Sequence, residues 1–230
     1  MTPLRLPSLT LVTDRQLYRA KSEKKWDPLS VVESAIEGGV DIVQLRTRQG
    51  NEDLGLYAVA MRLREMTEGR VQFVITGDLE LAEKCMADGV LLQERTYKPA
   101  DARAFLRDDR AKSVGVFARS VIGASRSEMG GADYCQYGPI FDQNNVESVS
   151  ALQSIRRIKD AVQIPVIAFG GVANKEQAVD CLRAGADGVA VTDAIRSAMD
   201  PRAAAREMRI ALDAAWRALH GPPEPPLAPK

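Results

Sequence analysis

At 230 residues, 45% of them hydrophobic, the chain is long enough to bury the core of one globular domain. Its 31 basic and 31 acidic residues cancel, which argues against a nucleic-acid partner. The opening MTPLRLPSLTLVTD has too short an apolar run for a signal peptide and no stretch approaches a membrane span, so a cytoplasmic protein with no membrane partner is expected.

In chain order, Leu9 to Asp14 reads as a strand. Arg15 to Asp27 follows as a charged loop with Arg15, Lys21, Lys24 and Lys25, either solvated or a lid over the strand ends, and Asp27-Pro28 opens a helix in the N-cap and N1 manner. A second strand ends Gln44-Leu45-Arg46-Thr47-Arg48, and a helix is expected from about Asn51 to Met66. Gln72 to Thr76 is the next strand and Leu79 to Met86 the next helix. A fourth helix begins at Pro99-Ala100-Asp101, Ser113 to Ala118 is a strand, and Val149 to Val162 is a helix.

Ile164 to Ile195 is the clearest unit: a strand over Pro165 to Gly171, a helix with Ala178, Val179 and Leu182 at helical spacing, a glycine stop, then a second buried strand. The last helix starts at Asp200-Pro201 and carries Met208, Leu212, Trp216 and Leu219 as one stripe. Gly221 to Lys230, with five prolines in ten residues, is expected to be a disordered tail.

The joint Gly185-Ala186-Asp187-Gly188-Val189 has relatives at Gly39-Val40-Asp41-Ile42-Val43, Ala87-Asp88-Gly89-Val90 and Gly131-Ala132-Asp133-Tyr134. Each places a small residue at a helix C-cap and then starts a strand. The copies recur about every 45 to 55 residues, twice the length of one strand-plus-helix unit, so each interval holds one more strand and the total is eight. Eight such units in residues 1–220 predict a single-domain TIM (β/α)8 barrel; a doubly wound open sheet is the alternative, because alternation alone does not distinguish a closed sheet from an open one. Cys85, Cys135 and Cys181 have no paired spacing and read as buried free thiols, with no zinc site.

A TIM barrel builds its ligand site at the C-terminal ends of the strands. Period two puts Gln44, Arg46 and Arg48 on one side of the second strand. If that side is the mouth, the guanidiniums suit a phosphate or carboxylate; a structural ion pair with a neighbouring strand is the other reading. The seventh strand ends Phe169-Gly170-Gly171 and the eighth Val191-Thr192-Asp193, where backbone N–H groups could approach a phosphate. Asp193 opposes this, either by repelling the anion or by capping the following helix itself.

Leu9 to Arg15, the GGVDIVQLRTR stretch from Gly38 to Arg48, GADYCQYGPIF from Gly131 to Phe141, PVIAFGGV and GADGVAVTDAI together resemble the thiamin phosphate synthase and TenI superfamily over nearly the whole barrel. The resemblance implies the TIM-barrel fold. It also implies one of two chemistries: a synthase that joins a pyrimidine pyrophosphate to a thiazole phosphate with Mg²⁺, or a TenI-type isomerisation of the thiazole by a histidine.

The departures from the family pattern share a direction. The Ile-Asn-Asp expected after the third strand is Ile75-Thr76-Gly77, with Asp78 one place too far along. Leu91-Leu92-Gln93-Glu94-Arg95-Thr96 lacks the second metal-binding aspartate. Phe117 and Arg119 replace Ser and His, and Asp142-Gln143-Asn144-Asn145-Val146 replaces a Thr-x-Thr-Lys loop. Arg48 stands at a lysine position, Gln136 at a glycine position and Asp193 at a serine position, while the single histidine, His220, ends the last helix.

Oxygen ligands for Mg²⁺ are thus missing while fixed cations are added at the rim. The implied function is binding of a small anionic, phosphorylated molecule by Gln44, Arg46, Arg48, Arg119, Gln136, Gly170, Gly171, Thr192 and Asp193, with the parent synthase activity lost and no cofactor. If catalysis persists, Asp78, Glu94, Tyr137 and Asp142 are the candidate acid and base groups. Two alternatives stay open: a working synthase that uses substitute Mg²⁺ ligands, and a non-catalytic binding or regulatory pseudoenzyme. A homo-oligomer also stays open.

Overall fold

The computed structural model describes residues 4–14, 28–47, 54–94, 96–106, 112–141 and 149–221. Eight strands are present: β1 (Ser8–Asp14), β2 (Ile42–Arg46), β3 (Gln72–Thr76), β4 (Gly89–Gln93), β5 (Ser113–Ala118), β6 (Tyr134–Tyr137), β7 (Val166–Phe169) and β8 (Gly188–Val191). Between and after them run α1 (Pro28–Gly38), α2 (Leu54–Thr67), α3 (Leu79–Lys84), α4 (Pro99–Phe105), α5 (Val121–Met129), α6 (Val149–Ala161), α7 (Lys175–Arg183), the short α8 (Asp193–Arg196) and α9 (Pro201–His220).

All strands pair in parallel with their sequence neighbours, and β1 also pairs with β8 through Ser8↔Gly188 to Leu11↔Val191. That last pairing closes the sheet, so the barrel is the architecture and the open doubly wound sheet is excluded.

The strands read as nearly continuous apolar runs because both of their faces are buried. Residues such as Leu11, Val43, Leu45, Phe73, Ile75 and Leu92 belong to the large cluster under the helices. Val12, Ile42, Val74, Leu91, Tyr134, Ile167 and Ala190 form a second cluster that fills the barrel interior. Tyr134 takes its place there because Gly115, its register partner on β5, has no side chain; a methyl group at Gly115 would overlap the ring. Cys85, Cys135 and Cys181 are buried and form no disulfide, as the absence of paired spacing implied.

The four repeated joints have a common function at the end of the barrel opposite the mouth. Asp41, Asp88, Asp133 and Asp187 each turn a carboxylate oxygen toward the backbone N–H that starts the preceding odd-numbered strand: Leu9, Phe73, Val114 and Val166, at 2.6–2.8 Å. Each also holds a basic side chain, namely Arg209, Arg64, Arg103 and Lys159 in turn. The aspartate is therefore a clasp between neighbouring strands, on the face of this fold associated with stability.

α9 packs on α1 and α7, and Gly38 lets α1 approach Ala205 of α9 closely. Met208 and Leu212 are buried on its stripe, but Leu219 is 47% exposed. The stripe was expected to continue to Leu219; instead the last turn of the helix outruns the wall it packs on. Among the described residues, no helix is long and apolar enough to cross a membrane.

Candidate functional site

Eight strands in a closed ring place β2 opposite β6, so inward residues of these two strands can meet on the barrel axis. Gln44 and Gln136 do so: Gln136 Nε2 donates to Gln44 Oε1 at 3.1 Å, and Gln44 Nε2 donates to Thr76 Oγ1 at 3.0 Å, with a longer return contact to Gln136 Oε1 at 3.5 Å. All three residues are at most 3% exposed. Their polar atoms need such partners so deep in the barrel, and together they form a polar floor beneath the mouth and above the apolar interior cluster. Phe117 and Phe169, from the strands flanking β6, meet edge to face at 5.9 Å between ring centroids.

Beside this floor, the C-terminal ends of β6, β7 and β8 enclose a cavity of about 680 Å³ whose wall includes Phe141, Phe169, Gly170, Gly171, Thr192 and Asp193. Four of the residues expected at a phosphate site are thus brought together. The two glycines are required by packing. Both have positive φ, +94° and +78°, a methyl group at Gly170 would come within 2.8 Å of Pro139 Cα, and one at Gly171 would overlap the Phe141 carbonyl. The loops after β6 and β7 are tied by Phe141 N–H to the Gly170 carbonyl at 3.0 Å.

Thr192 is the N-cap of α8, with no side-chain capping bond, and Asp193 is the first helical residue. Asp193 does not cap the helix. Its exposed carboxylate accepts from Arg196 Nε at 3.0 Å, so part of its charge is already offset within the helix.

Arg46 and Arg119 are exposed at the ends of β2 and β5, and among the described residues neither has an ion-pair partner. Arg48, Arg95, Asp142 and the charged segment from Arg15 to Asp27 lie outside the described residues.

The other candidate acids are engaged away from the floor. Asp78 caps α3 by accepting from Leu81 N–H at 2.9 Å. Glu94 is exposed and leans over Gly123 in the first turn of α5. Tyr137 packs in the outer layer beside the cluster of Ala118, Cys135 and Ile158, because Gln136 points inward and strand alternation turns its neighbour out. His220, exposed, stacks on Trp216 at the end of α9.

Among the described residues no three His, Cys, Asp or Glu side chains cluster as metal ligands. Asp78 is committed to its cap, so among the described residues the protein alone assembles no three-ligand metal centre. What reading single strands missed is the partnership of Thr76 with Gln44 and the aromatic wall of Phe117, Phe141 and Phe169. Closure of the barrel, which sets β2 across from β6, is the feature that could have revealed the glutamine pair.

A family model described as thiamine monophosphate synthase matches residues 9–195. The thiamine-phosphate synthase of Bacillus velezensis is 35% identical over 190 residues, covering 79% of this chain and 82% of that protein. The thiamine-phosphate synthase of Chloroflexus aurantiacus is 36% identical over 210 residues, covering 87% and 90%. Among solved structures, the thiamine phosphate pyrophosphorylase from Pyrococcus furiosus superposes with a TM-score of 0.75 at 30% identity, covering 90% of this chain and 96% of that one.

Proposed function

Since the chain belongs to the thiamine monophosphate synthase family, we propose that it binds a small phosphorylated molecule at the C-terminal mouth and does so without Mg²⁺, the parent condensation having been lost. The observation that carries this reading is the cavity at the ends of β6, β7 and β8, where Gly170, Gly171 and Thr192 bring backbone to its wall. Arg46 and Arg119 are cations at the rim with no partner among the described residues, and a guanidinium suits a phosphate geometrically. The commitment of Asp78 to the N-cap of α3 supports the reading without Mg²⁺, because it ties up a carboxylate close to where the family places a metal ligand.

In this role the residues bind and orient. Glycine backbone and rim arginines neutralise the phosphate, the aromatic wall packs on the apolar part of the ligand, and the glutamine floor limits its depth. A cytoplasmic site fits a ligand of this kind.

Calorimetric titration with thiazole phosphate, with and without Mg²⁺, tests the reading: binding with an affinity indifferent to the metal is expected. A second reading, in which thiamine phosphate synthesis survives with other ligands for the metal, is favoured by the identity of about one residue in three across most of the chain. Binding that requires Mg²⁺, or turnover of pyrimidine pyrophosphate with thiazole phosphate, would establish that second reading and overturn the first.

A further inference from the structure

We propose that Gln136 is a specificity-determining residue: by spanning the barrel axis to Gln44, it sets the depth of the mouth and admits only compact phosphate esters. The inference deepens the ligand site proposed above and rests on it.

Three observations carry it. Gln136 and Gln44 come from opposite strands, β6 and β2, and are held side chain to side chain at 3.1 Å with 2% and 3% exposure. Thr76 fixes the far end by accepting from Gln44 Nε2 at 3.0 Å, so the amide of Gln44 is oriented as well as occupied. Phe117 and Phe169, from the strands on either side of β6, meet edge to face, and Phe169 also walls the cavity, so this aromatic pair links the strand that carries Gln136 to the space where a ligand would lie.

A ligand whose phosphate is held near Gly170 and Gly171 extends toward the axis and meets this bridge. A phosphate ester with a single ring ends before it. A molecule carrying a second ring must displace a buried amide pair, and every polar atom it strips must be matched by its own. Removal of the Gln136 side chain opens the axis and frees the Gln44 amide as a hydrogen-bonding partner for a polar ring edge.

The test compares wild type with Gln136→Ala in calorimetric titrations with thiazole phosphate, the compact probe, and thiamine monophosphate, the two-ring probe. The expected result is a rise of about tenfold or more in affinity for thiamine monophosphate relative to thiazole phosphate in the variant. Should Gln136→Ala fail to fold, Gln136→Asn carries the same test, because its shorter side chain cannot span to Gln44.

Unchanged thiamine monophosphate affinity beside normal thiazole phosphate binding overturns the gate and leaves the phosphate site standing. A gain for thiamine monophosphate with no thiazole phosphate binding in either form overturns the phosphate site as drawn, and with it the gate that rests on it. No binding of either compound by either form overturns both.

Discussion

Replacing Asp187 tests whether the recurring aspartates hold the barrel together. Asp187 is 5% exposed, and its Oδ2 accepts from Val166 N–H at 2.8 Å and from Lys159 Nζ at 2.7 Å. In Asp187→Ala, the N–H of the fully buried Val166 loses its acceptor at the start of β7, which costs about 1–3 kcal/mol. The Lys159 side chain is one-third exposed and can turn to water, so its ion pair adds less than about 1 kcal/mol. The sum is about 1–4 kcal/mol, or a fall in Tm of about 2–16 °C for a chain of this size. Asp187→Asn keeps a carbonyl oxygen for Val166 and should lose only about 1 kcal/mol. Urea denaturation with an unchanged m-value measures both variants, and ligand affinity at the opposite face should not move. A loss below about 1 kcal/mol for alanine, or asparagine as costly as alanine, would refute the clasp.

Three further outcomes follow from the same geometry. Asp78→Ala should cost about 1 kcal/mol by uncapping α3, whereas Asp78→Ser, which keeps a capping oxygen and removes the carboxylate, should restore it; ligand binding or turnover lost in the serine variant would show an acid–base role instead. Gly171→Ala forces a methyl group onto the Phe141 carbonyl at a φ of +78°, so urea titration should show a loss of at least about 1–3 kcal/mol and calorimetry a weakened phosphate site; unaltered stability and affinity would refute the packing constraint. Burial pushes the Cys85 thiol up to about 11 and that of Cys135 up to about 12. Both stay protonated at pH 8 and should resist a thiol reagent in the folded protein, with all three cysteines reacting once it is unfolded; labelling of native Cys85 or Cys135 at that pH would contradict it.

The scaffold was legible because its signals are local. The runs Leu9 to Asp14, Gln72 to Thr76 and Ser113 to Ala118 lie within a residue of the observed strands, and the joints at Asp41, Asp88, Asp133 and Asp187 fall where helices end and even-numbered strands begin. That those aspartates reach back to the preceding strand was not legible, since the partner N–H lies 15 to 32 residues away. The site was harder for the same reason. Gln44 faces inward as strand alternation requires, but what it meets depends on closure of the sheet, which alternation of elements does not specify. Tyr137 could have been set aside on alternation alone, given an inward Gln136. Asp78 directly precedes a helix that runs from Leu79, and its capping duty is written in that position.

The two ends of the barrel are under different constraints, and that bears on how the residues of the mouth can change while the fold is kept. The clasps sit at the stability face and tie neighbouring strands through buried N–H groups, so they resist substitution. The rim residues Arg46, Glu94 and Arg119 are exposed, and none of their side chains has a hydrogen-bond or ion-pair partner among the described residues, so replacing them costs the fold little. Gln136 departs from this division together with Gln44 and Thr76, since they lie at the mouth yet are buried. A side chain placed there must have its amide satisfied, and the match with Gln44 and Thr76 does this without help from a ligand. The floor is therefore complete before anything binds, which is the property a depth limit requires and a flexible rim residue could not supply.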